Sequence, residues 1–207
     1  MAKATKIKNR SGKVIFSSKT ATTVKGAVIE AVKANCRLSH ADLCNTDLSN
    51  VDLHNANLSY ADLRNADLCN ANLFSANLFS ADLRNADLGY TNLANADLAN
   101  ANLANANLRT ADLHNSDMSN ANLSDAILHY ADLHNAILHN AILHHADLFR
   151  ADLSSADLYN ANLHYADLHY ADLLNAKFCG KSFSQKLTRE QVPIFLAALG
   201  FRIADNL

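Results

Sequence analysis

The chain has 207 residues, 49% of them hydrophobic, and a formal net charge of −2. That length can bury a sizeable core, and no apolar run approaches the ~18 residues that a membrane-spanning helix needs. The near-neutral total hides an uneven distribution: residues 1–35 carry a net +7, residues 36–180 a net −11 and residues 181–207 a net +2.

The first segment holds seven Lys and Arg10 against Glu30. It is Lys-rich but lacks the apolar run of a secretory signal, so a cytoplasmic location is expected. Residues 5–18 read as a β-hairpin: Thr5-Lys6-Ile7-Lys8, a turn at Asn9-Arg10-Ser11-Gly12, then Val14-Ile15-Phe16. Residues 23–34 read as a helix with Val24, Ala27, Val28, Ala31 and Val32 on one face. Residues 1–35 are therefore expected to form an N-terminal cap. Charge runs are usually solvated, so direct nucleic-acid binding by the hairpin is not expected.

From Cys36 to Gly180 the sequence repeats every five residues, as in Ala61-Asp62-Leu63-Arg64-Asn65. These 145 residues form 29 pentads without an insertion or deletion. The third slot is Leu in 27 of them, with Met118 and Phe178 as the exceptions. The first slot is Ala in 24, and Cys36, Thr46, Val51, Thr91 and Ser116 are its small substitutes. Five is not a helical spacing. In an extended chain, slots one and three share a side and slot two points the other way. Ala and Leu then face inward, Asp or Asn outward, and slots four and five turn the corner. Asn, which tolerates left-handed backbone, fills slot five in 15 pentads.

These residues resemble the signature of the pentapeptide-repeat proteins, Ala-(Asp/Asn)-Leu-x-x. The resemblance implies an all-β fold, a right-handed quadrilateral parallel β-helix with four pentads per coil. Residues twenty apart would then stack. The 29 pentads would make about seven coils, at ~4.8 Å per coil a rod about 35 Å long. The open ends of such a solenoid need covers. Beyond the rod, Thr188 and Gln191 have capping-box spacing, and a helix over 189–199 is expected to stop at Gly200. Ile194, Phe195, Ala198, Leu199 and Phe201 are too apolar to leave in water. Residues 181–207 are expected either to cover the last coil or to form the homodimer contact that some family members use.

Function must be sought where the repeat varies. Slot two carries Asp or Asn in 24 pentads. Four-sided stacking would align Asp112, Asp132, Asp152 and Asp172 in one acidic ladder, Asp42, Asp62 and Asp82 in another, and Asp47, Asp67 and Asp87 in a third. Like charges at strand spacing repel, so these ladders serve solubility, bind cations or imitate phosphates. Some family members resemble B-DNA, bind type II topoisomerases and protect them from fluoroquinolones, which implies gyrase as one candidate partner. This chain departs from those relatives. Phe stands in the central slot only at Phe178, no loop interrupts the rod, and Arg64 and Arg84 break the acidic surface.

The second variation is local. Seven of the ten His fall between residues 126 and 175. Four-sided stacking would place Ile142, His144, His145, His164 and Tyr165 on one side, and Ile127, His129, Tyr130, Phe149, Arg150, His169 and Tyr170 on the next. A less acidic, aromatic patch has the composition of a protein contact surface. His144, His145 and His164 are also the candidate metal ligands. The four cysteines show no CxxC spacing and read as free thiols. A convex rod with a filled core offers no water-excluding cleft, and five Gly form no phosphate loop. No enzymatic activity and no cofactor are expected. The expected role is a scaffold that presents a rigid acidic surface to another protein.

Overall fold

The computed structural model describes residues 4–178 together with Val192 and Pro193. The N-terminal hairpin pairs β1 (Lys6–Lys8) with β2 (Val14–Ser17), antiparallel, with Ile7 opposite Phe16 and a register shift between Ile7 and Lys8. Asn9 closes the turn. Its side-chain oxygen accepts from the backbone N–H of Ser11 (3.1 Å) and Lys13 (2.9 Å), and Gly12 takes a φ of 81° that favours glycine.

Helix α1 (Val24–Lys33) starts at Thr23, whose hydroxyl accepts from the Gly26 N–H. Ala27, Val28 and Ala31 are buried and Val32 packs against the same core, as the spacing predicts, but Val24 is exposed, and Ile29 also packs against the core. Val24 is the first helical residue and lies beyond the buried stripe. Glu30 ties helix to hairpin by accepting from Ser18 Oγ (2.8 Å), Lys19 N–H (3.1 Å) and Thr20 Oγ1.

From Asp42 to Lys177 the chain winds with a twenty-residue register, and slot-two residues form parallel bridges to the residue twenty ahead, as Asp42 does with Asp62 and Asp62 with Asp82. Leu43 N–H donates to Asp62 O (2.8 Å) and Asp62 N–H to Ala41 O (2.8 Å), and this pair of bonds recurs along the rod. Corners have their own rule. At each, the slot-one N–H reaches back to the preceding slot-three carbonyl, as Ala61 does to Leu58 at 3.0 Å. Slot five has a positive φ in every pentad from His40 to Asn175, between 54° and 61°. A positive φ at the third residue of a bonded turn is the type II pattern. Asn dominates slot five for that reason.

Slots one and three fill the tube. Its leucines are buried at every coil, with Met118 in the same position, and Ile7, Ala27, Val28 and Ala31 join the same continuous core. Two small substitutes differ in detail. Thr91 Oγ1 donates to the buried Leu68 carbonyl at 2.8 Å, whereas Ser116 Oγ is buried without a partner among the described residues.

The hairpin also meets the edge of the first coil. Asn9 bridges antiparallel to Ala41, and Asp42 N–H donates to Lys8 O at 2.7 Å. Unpaired strand edge is thereby removed at that corner. The expected C-terminal helix over 189–199 and the dimer contact lie outside the described residues, apart from Val192 and Pro193. Among the described residues, no helix is long and apolar enough to cross a membrane.

Candidate interaction surface

Slots two, four and five form the skin of the rod. The slot-two carboxylate or amide accepts the slot-four backbone N–H, as Asp97 does from Ala99 (3.0 Å) and Asn122 from Ser124 (3.0 Å). This local bond explains why slot two is Asp or Asn even where no partner is bound. Ile127, Ile137 and Ile142 cannot accept it, and all three are exposed.

The ladders stack as expected: Asp112, Asp132, Asp152 and Asp172 pair in succession, as do Asp42, Asp62 and Asp82, and Asp47, Asp67 and Asp87. Their electrostatics differ. Asp62 is 1% exposed and is paired with two arginines. Arg64 grips it bidentately (2.8 and 2.7 Å), and Arg10 from the hairpin turn donates to both Asp62 (2.8 Å) and Asp82 (3.1 Å). Arg84 grips Asp82 bidentately at 2.8 Å. The hydrogen bonds from Arg64 hold the Asp62 carboxyl far below the ordinary range, overcoming burial, with Arg10 adding to them. Arg84 does the same for Asp82. The basic hairpin therefore spends its Arg10 charge on the rod's own ladder. The ladder from Asp112 to Asp172 shows no Lys or Arg ion pair among the described residues.

Two aromatic clusters form where the sequence places them. On one side His145 stacks on Tyr165 (centroids 5.0 Å apart) and His144 on His164 (5.5 Å), while His164 and Tyr165 approach to 3.8 Å. On the next side Phe149 meets His129 (5.6 Å), Tyr130 (6.0 Å) and Tyr170 (5.7 Å). The Arg150 guanidinium lies 5.4–5.7 Å from the rings of Tyr130, Phe149 and Tyr170. His129 is bonded to Asp147, and His169 to Asp167 at 2.6 Å. Burial tends to raise the Asp167 carboxyl, but the His169 backbone and ring bonds outweigh it and hold it low. Tyr165 and Tyr170 remain 56% and 75% exposed, and Ile142 and Ile127 on the same two sides are exposed too.

Five of these residues also sit at corners, where every slot-five residue has a positive φ. Tyr130, His145, Arg150, Tyr165 and Tyr170 are all slot-five residues with φ between 55° and 60°. Side chains other than Gly and Asn are strained there, by ~1–2 kcal/mol each.

Sequence reasoning missed three arrangements. His40 stacks on Tyr60 at 4.9 Å, with Phe79 at its edge, in the N-terminal half. His139 pairs with Tyr159 on a third side and reaches Asp157 at 3.0 Å. Among the described residues, the three-residue group with ligand atoms all within 4.8 Å of one another is Asp112, His114 and Asp132, rather than His144, His145 and His164. Spacings of two and twenty, read on a four-sided coil, are the signal that would have found it. Cys36, Cys44 and Cys69 are free thiols, as their spacing suggests.

A five-residue unit that turns a corner after every pentad and pairs at twenty residues defines a repeat solenoid. The profile described as Pentapeptide repeats matches in eight copies across residues 36–73, 76–115, 108–144, 116–154 and 146–185. The chain belongs to the pentapeptide-repeat family, whose members are right-handed quadrilateral β-helices. Among solved structures it is similar to a pentapeptide-repeat protein of the Arabidopsis thaliana thylakoid lumen (34% identity over 44% of this chain and 63% of that one, TM-score 0.43). It is also similar to HetL of the cyanobacterium Nostoc, described as involved in heterocyst differentiation regulation (27%, 75% and 97%, TM-score 0.34). A third is QnrB1, a plasmid-mediated fluoroquinolone resistance protein (20%, 79% and 90%, TM-score 0.30). This chain thus spans just under two thirds of the Arabidopsis protein. No protein of curated function matches it.

Proposed function

We propose that the protein is a non-enzymatic scaffold that docks another protein on the two aromatic faces near its C-terminal end. The observation that supports this is the coincidence of strain and exposure. Tyr130, His145, Arg150, Tyr165 and Tyr170 occupy left-handed corners where Asn would serve better, and Ile127 and Ile142 forgo a local hydrogen bond to expose apolar surface. Non-Asn corners also occur at His40, Tyr60, Ser75, Ser80, Tyr90, Thr110, Asp125 and Ser155, but these five bulky ones share two adjacent sides near one end, and strained residues gathered at one place point to function. Aromatic and Arg side chains around a semi-buried centre are also the composition of binding hot spots.

The test uses substitutions that the repeat already contains. Tyr130, Tyr165 and Tyr170 become Asn, as in most corners, while His129 and Phe149 become Ala, as at Ala94, Ala99 and Ala104. A partner captured from the native host by the wild-type protein, then purified, should bind this five-fold variant at least ~100-fold more weakly. Equal affinity for both forms would refute the surface.

A second reading is a modulator of a type II topoisomerase, supported by the ladder of Asp112, Asp132, Asp152 and Asp172 with no Lys or Arg paired to it among the described residues. Gyrase supercoiling, with and without a fluoroquinolone, should change at micromolar protein and revert when the four Asp are changed to Asn. Supercoiling that is unaffected eliminates this reading.

A further inference from the structure

We infer that Asp112, His114 and Asp132 form a binding site for a borderline divalent cation of the zinc type. Asp112 and Asp132 are stacked bridge partners on neighbouring coils, so their carboxylates project side by side. The His114 ring points Nδ1 into this pair, 2.5 Å from Asp112 Oδ1. Its backbone N–H also donates to Asp112 Oδ1 at 3.2 Å, which fixes the base of the cluster. One ligand atom from each of the three lies within 4.8 Å of the others. Ligands around a metal held at 2.0–2.2 Å stand roughly 3 Å apart. Half-exposed side chains reach that spacing by rotating about their own bonds.

The electrostatic setting favours a cation. The equivalent pair on another side, Asp62 and Asp82, is neutralised by Arg10, Arg64 and Arg84. Asp112 and Asp132 have the same stacked geometry, and an imidazole stands where Arg64 and Arg84 stand on the other side. Asp147 and Asp167 also stack and bond His129 and His169, but among the described residues the three ligand atoms within 4.8 Å of one another are those of Asp112, His114 and Asp132. His54 bonds Asp52, but the residue stacked on Asp52 is Asn72, whose amide donates to that carboxylate instead. One level along, His134 turns its Nδ1 to Ser154 Oγ (2.8 Å) and away from the carboxylates. Two carboxylates alone would suit Mg²⁺ or Ca²⁺, whereas the imidazole shifts the preference to Zn²⁺ and its neighbours in the first transition row.

The experiment is calorimetric titration of the full, tag-free protein with zinc chloride after chelator dialysis, repeated with magnesium chloride. One zinc should bind, and magnesium should not compete at equal concentration. His114→Ala and Asp132→Asn should each weaken zinc by more than the ~10–100-fold typical of an outer-shell change. Both replacements occur in the same slots elsewhere, at Ala94 and Asn122, so the variants keep the fold, which a thermal melt checks. The triple variant His144→Ala/His145→Ala/His164→Ala should retain the site. The inference is overturned if wild-type protein takes up no zinc, if His114→Ala binds as well as wild type, or if the triple variant abolishes binding.

Discussion

Replacing Asn100 by Val isolates the demand that the corner makes on slot five. Asn100 is exposed, has a φ of 60°, and donates its N–H to Ser119 O at 2.8 Å, a bond that any residue but Pro preserves. A β-branched side chain in the left-handed region brings its Cβ substituents against the following carbonyl, which costs ~1–2 kcal/mol. In a chain of this size each kcal/mol moves the thermal midpoint by about 2–4 °C. Asn100→Val should therefore melt about 2–8 °C lower. Ala99→Val, one residue earlier and without a positive φ, should melt within about 2 °C of wild type, as surface changes usually do. Thermal unfolding followed by circular dichroism reads both. If the two variants fall equally, or neither falls, corner strain is not what limits slot five, and the strain at Tyr130, Tyr165 and Tyr170 loses its meaning.

Leu103→Ala removes a fully buried side chain from a tube in which the stacked neighbours Leu83 and Leu123 cannot close the gap; urea unfolding should show a loss of about 2–5 kcal/mol. Ser116→Ala restores the usual slot-one residue and removes a buried hydroxyl without a partner, so it should stabilise by ~1 kcal/mol in the same assay. Asp62 has a carboxyl pKa held well below its unfolded value of 3.8, so its contribution is complete above that value and is lost as pH falls through the folded one. Asp62→Asn should lower the melting temperature at pH 7 and flatten its fall below pH ~4; a variant whose acid limb matches wild type contradicts the ion-pair reading. Glu30 is held at about 2 by hydroxyl bonds from Thr20 and Ser18. Glu30→Gln should speed amide exchange in residues 18–33 at pH 7 and leave the coils unaffected.

The tube was legible because its causes are local. A side-chain alternation of two, a corner every five and an Asn that tolerates left-handed backbone are all written in single pentads, and the aromatic faces followed once residues twenty apart were set side by side. The number of sides came from resemblance, since spacing alone does not count corners. What escaped depends on choices between near-equal side-chain directions. Arg10 is one basic residue among eight in its segment, and nothing local says that it will span Asp62 and Asp82. His114 and His134 occupy the same slot on the same side, yet only His114 keeps its ring on a carboxylate, because Ser154 offers His134 an oxygen. Val24 was misplaced because helical periodicity says which way a residue faces but not where the packed neighbour ends.

The unbroken twenty-residue register has a consequence for how such a chain can change. Inserting a whole turn would slide the aromatic faces along the axis by about 4.8 Å while leaving their compass heading unaltered. Inserting a single pentad would swing everything beyond it by a quarter revolution. Evolution can thus adjust the reach and the bearing of the surface in separate steps, as a surveyor sets a staff and a dial.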